Sequence, residues 1–528
     1  MSSSVCPNLS VPTPEPAVQP TTAEKHSYGQ ILKSSALIGG SSVLNIGVGI
    51  IRTKVMALLL GPAGVGLIGL YTSIATLTQS VAGMGVNSSG VRQIADAVGS
   101  RDSARIARNA AVLRRTSIVL GTLGALLLVI FSRQISTVTF GTAKHAASVS
   151  LLSLAVLFTL VSGGQAALIQ GTRRIADLAK MQALGAISGT VISIPVVYFF
   201  REKGIVPSLV TVAAMTIFTS WWFSRKIQIQ APSLTISEIR QEAGALLKLG
   251  FAFMASGLMT MGVGYVVRIT VLHKIGFEAT GLYQSAWTLG GLYVGFILQA
   301  MGADFYPRLT AHASDNVACN RLVNEQTRVG LLMAGPGVIA SLAFAPTVIA
   351  LFYSSKFGPA VGILRWICLG TILQVITWPM GFIIVAKGKQ AIFFWCELAW
   401  AVVSLGLARI CVTSFGLEGA GIAFFGSYIF HGILIYPVAR RLSGFRWSPE
   451  NKRTGLLFLG LIAIVFCGFY VLPFLVAVSI GALAAILSGV YSVRVLVALI
   501  PWNRLPGPLR RLLTLFGYPA PSAAQFGI

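Results

Sequence analysis

GVGIIRTKVMALLLG, residues 47–61, is the stretch that decides the fold of this 528-residue chain. It is apolar apart from Arg52 and Lys54, and it continues into further apolar sequence. An apolar run of about 18 or more residues with few charges is long enough to cross a bilayer as a helix. The stretch therefore predicts a membrane-spanning helix that carries two cations, and the two cations need an explanation.

The composition of the whole chain is that of a membrane protein. Hydrophobic residues make up 55% and charged residues 10% of the chain, whereas a soluble domain carries about 25% charged residues. The mean hydropathy is +0.79. We predict an all-α, polytopic membrane protein with about fourteen transmembrane helices, at 34–60, 65–90, 110–131, 147–170, 180–200, 205–224, 246–272, 279–306, 329–353, 359–386, 390–412, 418–438, 455–471 and 474–499.

Lysine and arginine are distributed unevenly over alternate loops. With the N-terminus in the cytoplasm, most of them fall in inner loops and helix ends, as Arg92, Arg173 and Arg440 do. Few fall outside, as Arg133 and Lys203 do. The positive-inside rule therefore predicts that both termini are cytoplasmic. This bias also accounts for most of the net charge of +25, so we expect no nucleic-acid partner.

The parts of the chain outside the predicted helices are short. The longest loops, 225–245 and 307–328, are too small to bury a catalytic core. The six cysteines have no CxxC spacing, which favours reduced packing residues over a disulfide or metal framework. The chain contains no GxxxxGK[ST] phosphate loop and no HExxH zinc motif. We expect no enzyme activity, no metal and no cofactor.

An internal repeat is visible at an offset of about 212–217 residues. Its matching segments follow the same order in both parts of the chain: GVGIIR (47–52) with GVGYVVR (262–268), MGVN (84–87) with MGAD (301–304), FGTAKHAASV (140–149) with FYSSKFGPAV (352–361), and Gly171 with Gly388. Self-similarity at a fixed offset indicates a duplicated structural unit. We therefore predict two lobes of six helices each.

Six helices is an even number, so both lobes enter the membrane in the same sense. Such parallel repeats are common in transporters, whose substrate site lies between the repeats. The predicted organisation is a disordered cytosolic tail (1–29), an N-lobe with helices 1–6 (30–225), a cytosolic linker (226–245), a C-lobe with helices 7–12 (246–441), an extra helix pair (442–500) and a second cytosolic tail (501–528).

Cations inside spans cost about 2.5–3.5 kcal/mol each on insertion scales. One explanation is that Arg52 and Arg268 snorkel to the outer surface. The other is a cavity between the lobes, where water and an anion stabilise the charge. The repeat favours the cavity, since the two arginines occupy equivalent positions. Lys54 lies about 200° around the helix from Arg52. We predict Arg52 and Arg268 as ligands of an anionic substrate and rank Lys54 after them.

Acidic residues inside the predicted spans are few. Glu397 and Asp304 are two of them, and Asn87 is the polar repeat partner of Asp304. An isolated buried carboxylate tends to be protonated, so Glu397 is a candidate for a coupling proton. Asp304 and Asn87 are candidates for a pair that faces the other lobe. Arg365 lies near the outer end of its span and is interpreted as a snorkelling residue.

Two stretches resemble a known family. RTKVMALLLGPAGVGLIGLY (52–71), followed by a span that ends in a GMG–Arg stretch, resembles the opening of Wzx-type polysaccharide flippases. ALIQGTRRIADLAK (167–180) is similar to their loop between the fourth and fifth helices. These flippases translocate O-antigen units and lipid-linked oligosaccharides, and they belong to the multidrug/oligosaccharidyl-lipid/polysaccharide exporter superfamily. The resemblance covers roughly residues 30–441.

The resemblance implies two six-helix bundles in a V shape, alternating access and a cationic cavity. In this chain Arg52 and Arg268 would hold the diphosphate of an undecaprenyl-linked oligosaccharide. The family implies a bacterial inner-membrane protein for surface polysaccharides such as O-antigen, enterobacterial common antigen, capsule or exopolysaccharide. Besides the lipid-linked substrate and the bilayer, polymerase and assembly proteins are expected partners. The extra pair resembles the arrangement of the lipid II flippases, where it lines a groove for the lipid tail.

Two alternatives remain open from the sequence. A cation-coupled multidrug antiporter of the same superfamily needs carboxylates in a lobe cavity, and the first six predicted spans have none in their interiors. A membrane enzyme that acts on lipid-linked sugars needs an acid or metal constellation in a sizeable loop. The charge of the cavity distinguishes the three hypotheses, because a flippase for a diphosphate requires a positive one.

Overall fold

The computed structural model describes the backbone of residues 22–100, 102–227 and 235–499. Within these ranges the chain forms helices and short connections, with no strand. The α-helices are α1 (Thr22–Gly83), α2 (Val86–Gly99), α3 (Ser103–Ile130), α4 (Ser132–Phe140), α5 (Ala146–Gly171), α6 (Ile175–Phe200), α7 (Ile205–Ser224), α8 (Ile236–Ile275), α9 (Phe277–Ala311), α10 (Asn316–Ala343), α11 (Ala345–Phe352), α12 (Ala360–Ala386), α13 (Gln390–Phe415), α14 (Gly419–Ser443), α15 (Pro449–Val471) and α16 (Phe474–Leu499).

Helix α1 is two membrane helices joined by a sharp break. Gly61 has φ 68° and ψ −172°, and Pro62 follows it. A positive φ is easy for glycine, and proline lacks the N–H that a continuous helix would need. The apolar stretch Val43–Gly83 is 41 residues long, about twice the roughly 20 residues that one crossing requires. The stretch is therefore long enough for two crossings joined at Gly61.

Nine helical stretches within the described residues are long and apolar enough to cross a membrane, or ten with the bent pair α10–α11. This confirms an all-α, multi-pass membrane protein. Two of these nine stretches, Ile175–Ser224 and Gln390–Ser443, are 50 and 54 residues long. Each contains a 3₁₀ turn, at Arg201–Gly204 and Gly416–Glu418. The count of fourteen crossings is not confirmed by this number and stays a prediction.

The predicted repeat is visible in the order of the elements. A long helix, a short helix, a 3₁₀ turn and another long helix follow each other as α3, α4, Ala143–His145 and α5, and again as α10, α11, Ser355–Phe357 and α12. The N-terminal ends of α3 and α10 also match, because Asp102 and Asp315 are the N-cap residues and each accepts a hydrogen bond from a backbone N–H. Similar sequence at the predicted offset thus produces the same local structure twice.

We call residues 22–227 the N-half, residues 235–443 the C-half and α15 with α16 the C-terminal pair. The predicted boundaries differ from the structure in two places. Helix α1 begins at Thr22 and α8 at Ile236, inside the predicted tail 1–29 and linker 226–245. Residues 1–21, 228–234 and the tail 501–528 lie outside the described residues. The division into lobes otherwise stays a proposal about domains.

The C-terminal pair packs on the C-half. The aromatic ring of Phe458 in α15 lies against Gly335 of α10, where a Cβ atom would overlap it. Gly481 of α16 lies against Ala343, again in α10. Small residues allow such close approach between membrane helices. The pair is therefore a part of the folded protein that is fixed to one side of the C-half.

Candidate substrate site between the two halves

The two halves meet where α1 packs against α8 and α9. Gly66 of α1 and Gly281 of α9, which follow the matching arginines in the repeat, lie back to back. A Cβ atom added to Gly66 would lie 2.6 Å from the carbonyl oxygen of Phe277, and one added to Gly281 would overlap the carbonyl oxygen of Pro62. Only glycine fits such a backbone-to-backbone contact. The halves are therefore in direct contact near the turns at Gly61 and Gly276.

Further contacts between the halves lie at this same end, which the charge distribution predicts to be the outer one. The Tyr265 hydroxyl of α8 lies 2.5 Å from Thr139 Oγ1, and His273 Nε2 donates to the Thr139 carbonyl at 3.1 Å. At the opposite end, Gly85 lies against the backbone of Gly250. The part of the interface between these two contacts is the candidate site.

Arg268 is held in a defined orientation on the C-half side of this interface. Its Nε donates to Gln284 Oε1 at 2.6 Å and its Nη1 donates to the Gly264 carbonyl at 2.8 Å. Its guanidinium carbon lies 6.0 Å from the ring centre of Trp287. An arginine has five N–H donors. With two of them engaged among the described residues, the remaining N–H groups are available to an anion.

Gln284 connects Arg268 to the N-half. A Cβ atom added to Gly69 of α1 would lie 2.7 Å from Gln284 Oε1, so the amide fills the space that this glycine leaves. Gln284 Nε2 also donates to Thr288 Oγ1 at 3.1 Å. The Arg268–Gln284 pair therefore lies at the contact between α1, α8 and α9.

Arg52 is half-buried on α1 and makes no hydrogen bond or ion pair within the described part of the chain. The structure brings it into no contact with Arg268. Asn45 lies seven residues before Arg52, about two turns along the same helix face, and its buried Oδ1 has no hydrogen-bond partner among the described residues. This face of α1 thus carries the Asn45 amide oxygen and the Arg52 guanidinium, neither of which has a hydrogen-bond partner among the described residues.

Lys54 differs from Arg52 because its ammonium group has a hydrogen-bond partner in the other half. Its Nζ donates to the carbonyl oxygen of Ala350 at 2.6 Å, near the C-terminal end of α11. The last carbonyls of a helix have no partner within the helix and attract cations. Lys54 therefore connects the N-half to the C-half at the predicted outer end. The structure does not bring it together with Arg268.

The other candidates are distributed over both halves. Glu397 is half-buried on α13, without a hydrogen bond or ion pair to a described residue. Asn87 is exposed at the start of α2 and packs against Gly163 of the same half. Asp304 lies in α9, but its side chain is outside the described residues. Arg365 stacks on Phe469 of the C-terminal pair, with its guanidinium carbon 3.6 Å from the ring centre.

Metal-binding geometry gives no further candidate. No group of three or more His, Cys, Asp or Glu side chains that could hold a metal is found among the described residues. Cys319, Cys368, Cys396, Cys411 and Cys467 are free thiols, and the first four are buried.

Gln284 is the functional candidate that the sequence analysis missed. Its signal was present, because it is a polar residue in a predicted span that follows Gly281 by three positions. In the N-half, Gly69 follows Gly66 by the same three positions. A comparison of polar residues across the repeat, rather than of charged residues only, would have identified it.

Comparison with known proteins gives consistent results. A family model described as polysaccharide biosynthesis protein matches residues 55–362, more than half of the chain. The lipid III flippase of Escherichia coli (strain K12) is 23% identical over 416 residues, which cover 76% of this chain and 95% of that protein. The lipid III flippase of Shigella flexneri gives the same values.

Solved structures show the same fold. The lipid II flippase MurJ in an inward closed conformation has a TM-score of 0.64 at 15% identity, over 88% of this chain and all of that one. An inward-facing multidrug resistance MATE family transporter of the MOP superfamily has a TM-score of 0.63 at 17% identity, over 76% and 95%. Identities this low show the fold alone. Together with the matching family model, they confirm the resemblance seen in the sequence: the chain belongs to the polysaccharide biosynthesis protein family.

Proposed function

We propose that this chain is a flippase that moves an undecaprenyl-diphosphate-linked oligosaccharide from the cytoplasmic to the outer leaflet of the bacterial inner membrane. The oligosaccharide would serve the synthesis of a surface polysaccharide such as O-antigen, enterobacterial common antigen, capsule or exopolysaccharide. Both termini would be cytoplasmic. The family of the chain and its relatives named as lipid III flippases support this proposal.

Arg268 is the observation that carries the proposal. Its guanidinium is oriented by Gln284 and Gly264 at the contact between the halves, and it keeps free N–H donors. Arginine binds phosphate groups through charge-assisted and often bidentate hydrogen bonds. A charged arginine inside a membrane protein is energetically unfavourable, so its charge needs a partner. The diphosphate of the proposed substrate supplies such an anion. Arg52, which has no partner among the described side chains, would move to the same anion from the other half.

The proposed mechanism is alternating access. The diphosphate and the sugars enter between the halves from the cytoplasm, while the polyprenyl tail remains in the lipid. The arginines bind the diphosphate, the halves rock, and the contacts near Gly66 and Gly281 separate to release the sugars outside. No covalent bond is made or broken, so the protein acts as a transporter and not as an enzyme. An ion gradient, the membrane potential or removal of the product supplies the free energy.

The first experiment measures flipping in proteoliposomes. Wild type is compared with Arg268→Ala and Arg52→Ala, using an undecaprenyl-diphosphate oligosaccharide as substrate. Arg365→Ala is the matched control, because it also removes an intramembrane arginine, but one that stacks on the C-terminal pair. Loss of a hydrogen bond to a charged group costs about 1.5–3 kcal/mol, so we expect Arg268→Ala to reduce the rate roughly tenfold or more. The control should retain most of the rate.

A cation-coupled multidrug antiporter is the second candidate. The specific observation in its favour is the half-buried Glu397, which has no ion-pair partner among the described residues and could carry a coupling proton. If wild type fails to flip the lipid even with an imposed ion gradient and membrane potential, the flippase proposal is wrong. Proton-driven efflux of ethidium that is lost in Glu397→Gln would then establish the antiporter.

A further inference from the structure

A cavity of about 170 Å³ lies inside the C-half, lined by residues of α8, α9, α12, α13 and α14. A cavity needs only about 10–15 Å³ by this measure to hold one water molecule, so this cavity has room for a ligand as large as a small ring. Its walls include the aromatic rings of Trp287, Trp400 and Tyr428. We call it the aromatic cavity. The roles proposed above for Arg52 and Arg268 do not use this cavity.

Two polar groups in the wall of the aromatic cavity have no hydrogen-bond partner in the part of the chain that the structure describes. Trp400 Nε1 and Ser404 Oγ are buried, and neither has a hydrogen-bond partner among the described residues. The side chains are only 7% and 6% exposed. They stand four residues apart on α13, on one helix face. A buried donor without a partner is unfavourable, and more than nine in ten such groups are satisfied in folded proteins. Both groups therefore point to a ligand with hydroxyl or carbonyl oxygens.

The described lining of the aromatic cavity is uncharged. It combines aromatic rings with the hydroxyl and amide groups of residues such as Thr371 and Gln374, and it includes no Asp, Glu, Lys or Arg. A cation would require a carboxylate here, and an anion would require a cation in the wall. A pyranose ring fits this composition, since it offers apolar C–H faces to aromatic rings and hydroxyls at its edge to polar groups.

The aromatic cavity adjoins Arg268. Gly264 and Trp287 both line it, and Arg268 donates to the carbonyl of Gly264 and lies over the ring of Trp287. A phosphate bound to the free N–H groups of Arg268 would therefore lie next to the wall of the cavity. In a lipid-diphosphate-linked oligosaccharide the first sugar is bonded directly to the diphosphate, so the two groups are neighbours in the substrate as well.

We infer that the aromatic cavity binds the neutral pyranose that is bonded directly to the diphosphate, with Trp400 Nε1 and Ser404 Oγ as hydrogen-bond partners of its substituents. This inference rests on the proposed function and adds the residues that recognise the first sugar. The remaining sugars of the oligosaccharide lie outside the aromatic cavity, in the space between the halves.

The test measures equilibrium binding to the full-length protein in lipid nanodiscs. The probes are undecaprenyl diphosphate and undecaprenyl diphosphate that carries one glucose, galactose or N-acetylglucosamine. Trp400→Phe and Ser404→Ala each delete one polar atom and keep most of the packing. Their matched controls are Trp366→Phe and Ser117→Ala, which delete buried atoms that also lack a partner but do not line the aromatic cavity. Thermal melting of each variant verifies folding.

We expect wild type to bind at least one sugar-bearing probe about tenfold more tightly than undecaprenyl diphosphate. A hydrogen bond is worth about 1 kcal/mol, so Trp400→Phe and Ser404→Ala should each reduce this gain roughly fivefold. Binding of the sugar-free probe should stay unchanged in these two variants, and both controls should match wild type. Arg268→Ala should weaken the binding of every probe.

The inference is wrong if no sugar improves binding, or if the two variants leave the gain unchanged, in which case the cavity holds only water. The inference is also wrong if Trp400→Phe and Ser404→Ala weaken binding of the sugar-free probe as much as they weaken binding of the sugar-bearing probes. In these cases the proposed function still stands, provided that Arg268→Ala weakens the sugar-free probe. If Arg268→Ala changes no affinity, the diphosphate site itself is refuted, and the inference that rests on it is refuted too.

Discussion

Arg52 and Arg268 occupy equivalent positions in the repeat, yet their surroundings differ. Arg268 donates to Gln284 and Gly264 and lies over Trp287. Arg52 makes no hydrogen bond or ion pair to any described residue. Both halves therefore carry the positive charge, but among the described residues only the arginine of the C-half is oriented by hydrogen bonds.

The reason for this difference lies in two small sequence changes. In GVGYVVR the arginine follows Gly264 by four residues, one helical turn, so its Nη1 reaches the carbonyl of that glycine. In GVGIIR the residue one turn before the arginine is Val48, which has the Cβ atom that Gly264 lacks; at Gly264 such an atom would lie 3.1 Å from Arg268 Nη1. The acceptor Gln284 is likewise matched by Gly69 in the N-half, three residues after the equivalent glycine. One inserted residue and one glutamine thus account for the fixed orientation of Arg268, which the arginine of the N-half lacks among the described residues.

A fixed and a free arginine suit different tasks. A preorganised donor set loses little conformational entropy when its ligand binds, which suits the half that holds the diphosphate and the first sugar. An unbraced arginine can follow an anion while the halves move. The comparison predicts that substitutions around Arg268 have larger effects than the matching substitutions around Arg52.

The largest difference is expected between Arg268→Lys and Arg52→Lys. Lysine carries its donors on one atom and cannot bond Gln284, Gly264 and a phosphate together. Loss of one charge-assisted hydrogen bond costs about 1.5–3 kcal/mol, so Arg268→Lys should flip the lipid roughly tenfold more slowly or worse. Arg52→Lys should stay within about twofold of wild type. Initial rates in proteoliposomes test this, and equal losses in both variants would refute the distinction.

Gln284→Glu places a carboxylate where an amide oxygen now accepts from Arg268 at 2.6 Å. The ion pair would neutralise the guanidinium while it keeps the geometry. We expect about fivefold to tenfold weaker binding of undecaprenyl diphosphate, in line with a charge-assisted hydrogen bond. Gln284→Met, which removes the acceptor without adding charge, is the control and should lose less. Unchanged binding in Gln284→Glu would show that Arg268 does not contact the diphosphate.

A smaller effect is expected for Lys54→Met, which keeps the apolar stem and removes the ammonium. A single hydrogen bond contributes about 1 kcal/mol, so the variant should melt at a slightly lower temperature, and its flipping rate should stay within about twofold. Thermal melting and flipping are measured on the same preparation. If Lys54→Met lost as much flipping as Arg268→Lys, Lys54 would be a ligand of the substrate.

The smallest difference is expected between Gly264→Ala and Gly49→Ala. A Cβ atom at Gly264 would lie 3.1 Å from Arg268 Nη1, whereas nothing lies within 4 Å of one at Gly49. Gly264→Ala should displace the guanidinium slightly and weaken undecaprenyl diphosphate binding about twofold, a change of about 0.4 kcal/mol. Gly49→Ala should bind as wild type does. If the two variants agree, the contact with Gly264 does not position Arg268.

Much of the fold could be predicted from the sequence because the membrane restricts the solutions. A chain in lipid must satisfy its backbone groups internally, so long apolar runs form helices. The repeat predicted the duplicated order of elements, such as the short helix and 3₁₀ turn before α5 and before α12. The extents of α1 and α8 could not be predicted, because helices continue into polar sequence where hydropathy gives no boundary.

The sequence by itself determined that this is a multi-pass helical membrane protein with an internal repeat and an arginine at equivalent positions of both halves. The length of an apolar run and the similarity of two short segments depend only on residues that are close in the sequence, so they can be read without the tertiary structure. Only the tertiary structure decided that Gln284 orients Arg268 and that Lys54 bonds the carbonyl of Ala350. It also decided that Trp400 and Ser404 line a cavity and have no hydrogen-bond partner among the described residues. These facts depend on contacts between helices far apart in the chain, and residue spacing along one helix does not encode them.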